Sequence, residues 1–203
     1  MAIIGEPENA RSRRTREALL GAARAILEEE GFDALTMGRV AERAGVTRRS
    51  VYLHFASPTE LVDALFDYVA EAENLDGSMA RVWAAPDAVA ALRAWATHLA
   101  EYHVRVLAVD RAVDRVRRVD EAAAAHHRRV LSAKRGNCRR LVTWLHDEGR
   151  LAAPWTVQSA TDMMYVLASS DVVEGLIVDR RWSQRRFAEH MGVLLESTFV
   201  AGD

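Results

Sequence analysis

Residues 36–55 read TMGRVAERAGVTRRSVYLHF, and this stretch decides the interpretation of the whole chain. Thr36 and Thr47 are each suited to the N-cap of a short helix, and Ala44-Gly-Val46 separates the two helices. Gly45 can adopt the positive φ that a sharp turn between helices requires. The stretch therefore predicts a helix-turn-helix.

The second of these helices carries polar and basic side chains on its outward positions, which are Thr47, Arg48, Arg49, Ser50, Leu53 and His54. Its inward positions are expected to be Val51, Tyr52 and Phe55. Arginine can bond guanine, and hydroxyl side chains can bond phosphates, when such a helix enters the major groove of DNA. A short, solvated basic helix in an all-α protein has the same spacing, so spacing alone leaves both interpretations open.

Helical patterns also dominate the rest of the chain, and strand signals are nearly absent. A first helix is predicted from about Arg11 to Glu30, ending at Gly31. Ser57-Pro-Thr-Glu60 combines an N-cap, a proline at the first helical position and a glutamate at the third, and starts a helix that runs towards Asn74. Around residues 76–78 the pattern weakens. Later helices are predicted at about 88–106, 120–148, 156–179 and 183–200.

Charge is unevenly distributed in a chain of 203 residues whose net charge is −2. Residues 36–55 contain four arginines and one acidic residue, and residues 11–16 contain four more arginines. The single cysteine, Cys138, cannot form an internal disulfide, which permits a reducing, cytoplasmic setting. No apolar run approaches the roughly 20 residues that a membrane span needs, so we expect no membrane partner.

Residues 36–55 resemble the signature of the TetR family of bacterial transcription regulators, and Ala22-Ala23 and Gly31-Phe32 also fall where that family has them. The resemblance covers about residues 11–65. It implies an all-α fold with a three-helix DNA-binding domain at residues 1–57, including an arm at 1–16, and a larger helical domain at 58–203 that binds an effector and dimerises. It further implies a homodimeric repressor released from a palindromic, double-stranded DNA operator by a small-molecule effector of unknown identity.

Roles at the DNA follow from the resemblance position by position. Thr36 and Arg39 would touch the DNA backbone, and the hydroxyl of Tyr52 would contact a phosphate. Residues that would read the groove are Thr47, Arg48, Arg49, Ser50 and His54. The family often has a lysine where this chain has Pro58, so the backbone N–H groups of Thr59 and Glu60 would offer a phosphate site at the helix start. One ionic contact fewer per subunit predicts a gentler salt dependence.

Residues 11–16 leave two interpretations open: a flexible arm that enters the minor groove or follows phosphates, and a solvated basic leader.

Aromatic and apolar side chains in the larger domain are the candidates for an effector pocket, since such pockets are mostly apolar with a few placed polar groups. The candidates are Trp95, Leu99, Tyr102, His103, Val106, Leu141, Trp144, Met164 and Leu167. For any one of them ordinary core packing at helical spacing is the simpler explanation, and the pocket interpretation rests on the group as a whole. A helical small-molecule-binding protein with an incidental basic helix is therefore the rival to a DNA-binding regulator.

The last two predicted helices are apolar on more than one face, which suits either a symmetric four-helix dimer interface or a central buried helix. The interface candidates are Tyr165, Ala168, Val172, Leu176, Phe187, Met191, Leu194 and Leu195.

Metal and catalytic constellations are not apparent in the sequence. His98 and His103 are five residues apart, which does not suit two ligands on one helical face, and His126 and His127 point different ways. We find no Gly-rich phosphate loop and no convincing Ser/His/Asp arrangement. We therefore expect no metal, no cofactor and no enzymatic activity.

Overall fold

A computed structural model of the chain describes residues 10–202, and the fold over that range is all-α, as predicted. Its only β-pairing is a single bridge between Leu151 and Val200. The helices are α1 (Ala10–Glu30), α2 (Met37–Arg43), α3 (Arg48–His54), α4 (Pro58–Ala72), α5 (Leu75–Trp83), α6 (Ala88–Val116), α7 (Glu121–Asp147), α8 (Val157–Leu167), α9 (Ser170–Val173) and α10 (Gln184–Phe199). None of these helices combines the length and apolar character needed to cross a bilayer.

Packing divides the chain into two compact units that do not follow chain order. The first comprises the chain up to Val69 together with Ala108–His127, and the second comprises Ala70–Leu107 together with the chain from Arg128 onward. Helices α4, α6 and α7 therefore contribute residues to both units. The division into functional domains at residues 57 and 58 remains a prediction.

Helices α1, α2 and α3 form the helix-turn-helix region as predicted. Thr36 Oγ1 accepts a hydrogen bond from the Arg39 N–H at 3.2 Å, and Thr47 Oγ1 accepts one from the Ser50 N–H at 3.2 Å. Both threonines are thus N-caps, which stabilise a helix start by about 1 kcal/mol. Gly45 has a φ of 68°, a conformation that glycine adopts without the steric cost of a Cβ.

The first turns of α1 contain the arginines of residues 11–16, for which a flexible arm was one of the two interpretations. Residues 10–16 are helical, and the Thr15 hydroxyl donates to the Arg11 carbonyl at 3.0 Å. Arginine and alanine are good helix formers, so the basic stretch extends α1 instead of leaving it. The prediction of a flexible arm is therefore wrong for residues 10–16. The rest of the predicted arm, residues 1–9, lies outside the described residues.

Helix α5 occupies the segment where the pattern weakened. Asn74 precedes it in the left-handed conformation with a φ of 55°. Gly77, the residue that argued against a helix there, packs under Asn74, and a Cβ at this position would collide with the Asn74 side chain. The Asn74 side chain thus occupies the space beside Gly77, and the glycine does not break the helix.

The helix predicted from Thr156 to about Asp179 is interrupted. Helix α8 ends at Leu167, and Ser169 then caps α9, with its Oγ accepting from the Val172 N–H at 3.4 Å. A π-helical segment, Glu174–Asp179, follows α9. Serine competes for backbone hydrogen bonds and favours helix starts, which explains why the apolar pattern continues while the helix does not.

The core of the second unit is a bundle of helices packed around α6. Trp95 and Leu99 are 1% exposed and belong to one apolar cluster with buried side chains of the other helices. Those side chains include Cys138, Leu141, Leu145, Met164, Phe187, Leu195 and Phe199. Burial raises the pKa of the Cys138 thiol to about 12, so it behaves as a small apolar group of the core.

Candidate nucleic-acid interface

Helix α3 is anchored by two apolar residues and leaves its basic side chains in solvent. Val51 and Phe55 are fully buried, whereas Arg48 and Arg49 are exposed. No acidic residue lies within α3, so its exposed face carries positive charge. This is the arrangement that a helix needs to enter the major groove of DNA.

Tyr52 is 41% exposed, so its expected inward position is wrong. The Arg48 guanidinium lies 5.8 Å from the centre of the Tyr52 ring, on the same exposed side of α3. Leu53 is 66% exposed, which is unusual for leucine on a helix that has a buried side. Tyrosine and leucine therefore add a hydroxyl and an apolar contact to the basic face, and the position of Tyr52 suits its expected role at a phosphate.

An ion-pair network joins α2 to the end of α1. The Arg39 guanidinium lies 2.9 Å from Glu30 and 2.8 Å from Glu42, and Arg43 lies 2.7 Å from Glu29. Hydrogen bonding to Arg39 lowers the pKa of Glu30. The charge of Arg39, expected to meet a DNA phosphate, is thus compensated within the protein, which the sequence spacing of these residues did not reveal.

Arg16 on α1 contacts the end of α3. Its guanidinium lies 4.8 Å from the centre of the Phe55 ring. Burial, followed by the charge of Arg16, lowers the pKa of the neighbouring His54. Both effects favour the neutral form of the His54 imidazole.

The start of α4 has the predicted capping arrangement. Ser57 Oγ accepts from the Glu60 N–H at 3.1 Å, and the Glu60 carboxylate accepts from the Ala56 N–H at 2.7 Å. Pro58 and Thr59 are exposed in the first turn.

The predicted effector residues divide into two groups by burial. Trp95, Leu99, Val106, Leu141 and Met164 are buried, with Val106 the most exposed of them at 6%. Tyr102, His103, Trp144 and Leu167 are half-buried, and Trp144 lines an open cleft with Trp83, Arg140 and Thr143.

Four of the rings on α6 contact one another in series. His98 lies between Trp95 and Tyr102 with centroid separations of 5.0 and 5.3 Å, and both pairs are stacked. His103 meets the His98 and Tyr102 rings edge-on at 5.8 and 5.9 Å. His98, which the sequence weighed only as a metal ligand, thus lies at the centre of the aromatic group, and its Nδ1 is 2.8 Å from Ser78 Oγ.

The residues predicted to form the dimer interface also fall into two groups by burial. Ala168, Phe187, Met191 and Leu195 are buried in the core of the subunit itself and have almost no surface to offer a partner. Tyr165, Val172 and Leu176 are half-buried and Leu194 is 42% exposed. Further exposed apolar residues on α8 and α10, which the sequence did not single out, are Met163, Val166 and Val193.

Metal-ligating side chains do not converge anywhere between residues 10 and 202: no group of three or more His, Cys, Asp or Glu side chains is placed to hold an ion.

Comparison with known proteins places the helix-turn-helix region in a family. The family model described as "Bacterial regulatory proteins, tetR family" matches residues 19–65. The HTH-type transcriptional regulator TtgR of Pseudomonas putida is 38% identical over 60 residues, or 30% of this chain and 29% of that protein. The nucleoid occlusion factor SlmA of Yersinia enterocolitica is 29% identical over 66 residues, or 32% of this chain and 33% of that protein. These matches span about a third of the relatives' length.

Solved structures resemble the chain over most of its length. NalD, the secondary repressor of the MexAB-OprM multidrug efflux pump in Pseudomonas aeruginosa, has a TM-score of 0.71 and covers 96% of this chain and 100% of its own. It is 21% identical in sequence, so the likeness concerns the fold: an N-terminal helix-turn-helix followed by a helical region.

Proposed function

Because the chain belongs to the tetR family of bacterial regulatory proteins, we propose that it is a transcription regulator that binds a palindromic DNA operator as a homodimer and leaves it when a small effector binds. The observation that carries this proposal is the exposed basic face of α3, with Arg48 and Arg49 in solvent above the buried Val51 and Phe55. The family consists of DNA-binding regulators, which supports the expectation that the chain is not an enzyme.

Base reading is assigned to the exposed face of α3. Arg49 is the strongest candidate for bidentate bonding to guanine O6 and N7, because it is exposed on a helix without acidic residues. Leu53 can contact the methyl group of thymine. Thr47 serves mainly as the N-cap of α3, so its hydroxyl reaches DNA only while it also accepts from the Ser50 N–H.

Phosphate contacts are assigned to the edges of the same region. Tyr52 has an exposed hydroxyl-bearing ring. Thr59 lies in the exposed first turn of α4, where its N–H and the helix dipole favour an anion. The Glu60 N–H, expected to share this role, already donates to Ser57 Oγ. Arg39 is a weaker contributor than the resemblance implies, since a phosphate must compete there with Glu30 and Glu42.

Dimerisation is assigned to the exposed apolar residues of α8 and α10. Met163, Val166, Val193 and Leu194 are 42 to 67% exposed, and their burial against a second copy would remove apolar surface from water. A two-fold arrangement presents two α3 helices to half-sites about one helical turn apart. Leu194→Glu is expected to give monomers by analytical ultracentrifugation, whereas Val130→Glu, a matched change at an exposed valine of α7, is not.

Effector control is assigned to the aromatic group on α6. It combines stacked apolar rings with a few polar atoms, which is the usual composition of a small-molecule site. Release of the protein from its operator requires only that the effector bind the DNA-free conformation more tightly than the DNA-bound one.

Selection of bound duplexes from a random DNA pool tests the DNA-binding part. The wild-type protein is expected to enrich an inverted repeat, and Arg49→Ala to lose enrichment at one position of each half-site. Arg185→Ala, which removes an exposed arginine of α10, is the charge-matched control and is expected to enrich the same repeat. No enrichment by the wild-type protein would contradict the proposal and favour a small-molecule-binding protein.

A further inference from the structure

We propose that the cleft between the end of α5 and the exposed side of α7, which we call the α5–α7 cleft, binds a flat aromatic molecule that carries a single carboxylate. The cleft is lined by Trp83 of α5 and by Gly136, Arg139, Arg140, Trp144 and Asp147 of α7. Among the described residues that line it, only Trp144 belongs to the predicted effector residues. Binding at this outward cleft requires neither an operator nor release from DNA, so it goes beyond the proposed function.

The α5–α7 cleft has room for such a ligand without any change in the core. It is open to solvent and has a volume of about 640 Å³, within the roughly 300–1,000 Å³ of most small-molecule sites. The rings of Trp83 and Trp144 are half-buried, whereas Arg139 and Arg140 are exposed. The cleft therefore combines apolar ring surface with a few charged groups, which is the usual composition of a ligand site.

The two arginines of the cleft carry positive charges that are not taken up by ion pairs. Residues 122–146 of α7 include six lysines and arginines and no acidic residue. Elsewhere in the fold, carboxylates lie 2.9 Å from Arg39 and 2.6 Å from Arg93. Within residues 10–202, neither Arg139 nor Arg140 forms an ion pair or a hydrogen bond with another side chain. Two adjacent, unpaired guanidinium groups favour an anionic ligand.

The position of Arg140 selects a carboxylate as the anion. Its guanidinium carbon lies 4.0 Å from the centre of the Trp83 ring, in a cation–π contact. A guanidinium stacked on an indole keeps its planar fork of N–H donors, and this fork matches the two oxygens of a carboxylate. The indole of Trp144 lines the same cleft, and aromatic rings attract one another in stacked and edge-on arrangements. A flat aromatic body attached to the carboxylate thus gains a ring contact as well as an ionic one.

Gly136 gives an independent argument for a ligand that approaches α7 closely. Glycine is less favourable than alanine in the interior of a helix. A tightly packed neighbour does not explain this glycine, because a Cβ at Gly136 would meet open space, with no atom of the described neighbouring elements within 4 Å. Gly136 is exposed and lines the cleft. Glycine also permits close approach of a ligand to the backbone, and its place in the cleft favours this explanation.

Asp147 limits the ligand to one negative charge. It lines the cleft seven residues after Arg140, about 10 Å further along the helix at roughly 1.5 Å per residue. A second carboxylate at the far end of a naphthalene-sized ligand would approach this aspartate and be repelled. A single carboxylate at the arginines avoids the repulsion.

The test compares two ligands of the same shape that differ in charge. 2-Naphthoate is an anion, whereas 2-naphthamide is its uncharged counterpart of nearly equal size. Isothermal titration calorimetry of the full chain is expected to show 2-naphthoate binding at least about ten-fold more tightly than 2-naphthamide. Equal affinities, or no binding of 2-naphthoate, would overturn the proposal.

Two further ligands test the remaining features of the proposed molecule. Naphthalene-2,6-dicarboxylate is expected to bind at least about three-fold more weakly than 2-naphthoate, because its second carboxylate faces Asp147. Decahydronaphthalene-2-carboxylate, which is saturated and not flat, is expected to bind more weakly by a similar factor. Equal or tighter binding of the dicarboxylate would contradict the single charge, and equal or tighter binding of the saturated acid would contradict an aromatic ligand.

Variants then locate the site. Arg139→Gln and Arg140→Gln are each expected to weaken binding of 2-naphthoate at least about five-fold and to leave that of 2-naphthamide nearly unchanged. Arg135→Gln is the matched control, because Arg135 is an exposed arginine of the same helix that lies 3.5 Å from Asp162 and does not line the cleft. Its effect is expected to stay below about two-fold, since solvent and salt screen exposed charges. A larger loss in Arg135→Gln than in both cleft variants, or no loss in either cleft variant, would overturn the assignment to this cleft.

Gly136→Ala separates ligand binding from stability. The added methyl group is expected to leave the melting temperature equal or higher, because alanine favours the helix, while the affinity for 2-naphthoate falls at least about three-fold. Gly38→Ala, the same change at an exposed glycine of α2 with open space beside it, is expected to leave this affinity unaltered. Unchanged affinity in Gly136→Ala, or an equal loss in Gly38→Ala, would contradict the close approach of the ligand to α7.

Discussion

Replacing Arg49 by alanine is expected to change the salt dependence of DNA binding by a calculable amount. Arg49 is exposed on α3 and lies in a helix without acidic residues, so its charge is available to DNA. Each phosphate charge neutralised contributes about −0.9 to the slope of log affinity against log salt concentration. A guanidinium that bonds bases in the groove also neutralises the charge of the phosphates beside them. A dimer loses two such charges, so the slope should become shallower by up to about 1.8. Over a four-fold rise in salt the variant should then lose up to about 12-fold less affinity than the wild-type protein.

Arg39→Ala is the comparison that makes this prediction specific. It removes the same charge from the neighbouring helix, but the Arg39 guanidinium lies within 2.9 Å of Glu30 and 2.8 Å of Glu42. Because these carboxylates compensate its charge, the slope should change by less than half as much, about 0.9 or less per dimer.

Fluorescence anisotropy of a labelled, selected duplex measures both slopes between roughly 50 and 200 mM salt, the range in which phosphate contacts change affinity strongly. Thermal melting of each variant confirms that it is folded. An unchanged slope for Arg49→Ala with a large change for Arg39→Ala would refute the reasoning, because the phosphate attraction would then come from α2 and not from α3.

Three further predictions concern single side chains. The pKa of His98 falls from 6.5 to about 4 on folding, so the folded chain binds fewer protons and the unfolding free energy should drop as the pH falls below about 6.5. Between pH 7 and pH 4 wild type should lose about 3 kcal/mol more than His98→Gln in urea denaturation. Phe55 is fully buried at the end of α3, and Phe55→Ala should cost about 3–5 kcal/mol in the same assay. Leu53→Ala should leave stability nearly unchanged and weaken the preference for a thymine in the selected half-site, measured by competition between duplexes with thymine and uracil.

Each of these predictions has a clear contrary result. A parallel loss of stability in wild type and His98→Gln would mean that His98 is not the group that acidification charges. A small effect of Phe55→Ala would mean that α3 is held by other contacts. An unaltered thymine preference in Leu53→Ala would remove Leu53 from the reading face.

Helix starts in the first sixty residues could be predicted because their chemistry is local. Thr36, Thr47 and Ser57 each accept a hydrogen bond from an N–H three residues ahead, and this depends only on residue type and spacing. The turn at Gly45 is equally local. These features placed α2, α3 and the start of α4 correctly from the sequence alone.

Features that depend on residues distant in the chain could not be predicted in this way. Arg39 looks like a DNA contact until the fold brings Glu30, nine residues earlier, within 2.9 Å. Arg43 meets Glu29, fourteen residues earlier, at 2.7 Å. The partners of these two arginines are determined by folding and not by spacing.

The apolar pattern of α10 illustrates a further limit. Phe187, Met191 and Leu195 share a helical face with the regularity of an interface, yet all three are buried in the subunit's own core. Periodicity reports which residues avoid water and not what covers them. The neighbouring Val193 and Leu194, exposed on the same helix, are what remains for a partner.

Methylation protection on the selected duplex tests the central claim, that α3 reads DNA through the major groove as one of a symmetric pair. Dimethyl sulfate modifies guanine N7 in the major groove and adenine N3 in the minor groove, so the two grooves are distinguished in one experiment. We predict protection of guanine N7 in two clusters related by the symmetry of the site, centred about 10 base pairs or a multiple of that apart, with one guanine of each cluster exposed again in Arg49→Ala. Protection confined to adenine N3, or a single cluster that Arg49→Ala leaves intact, would contradict it.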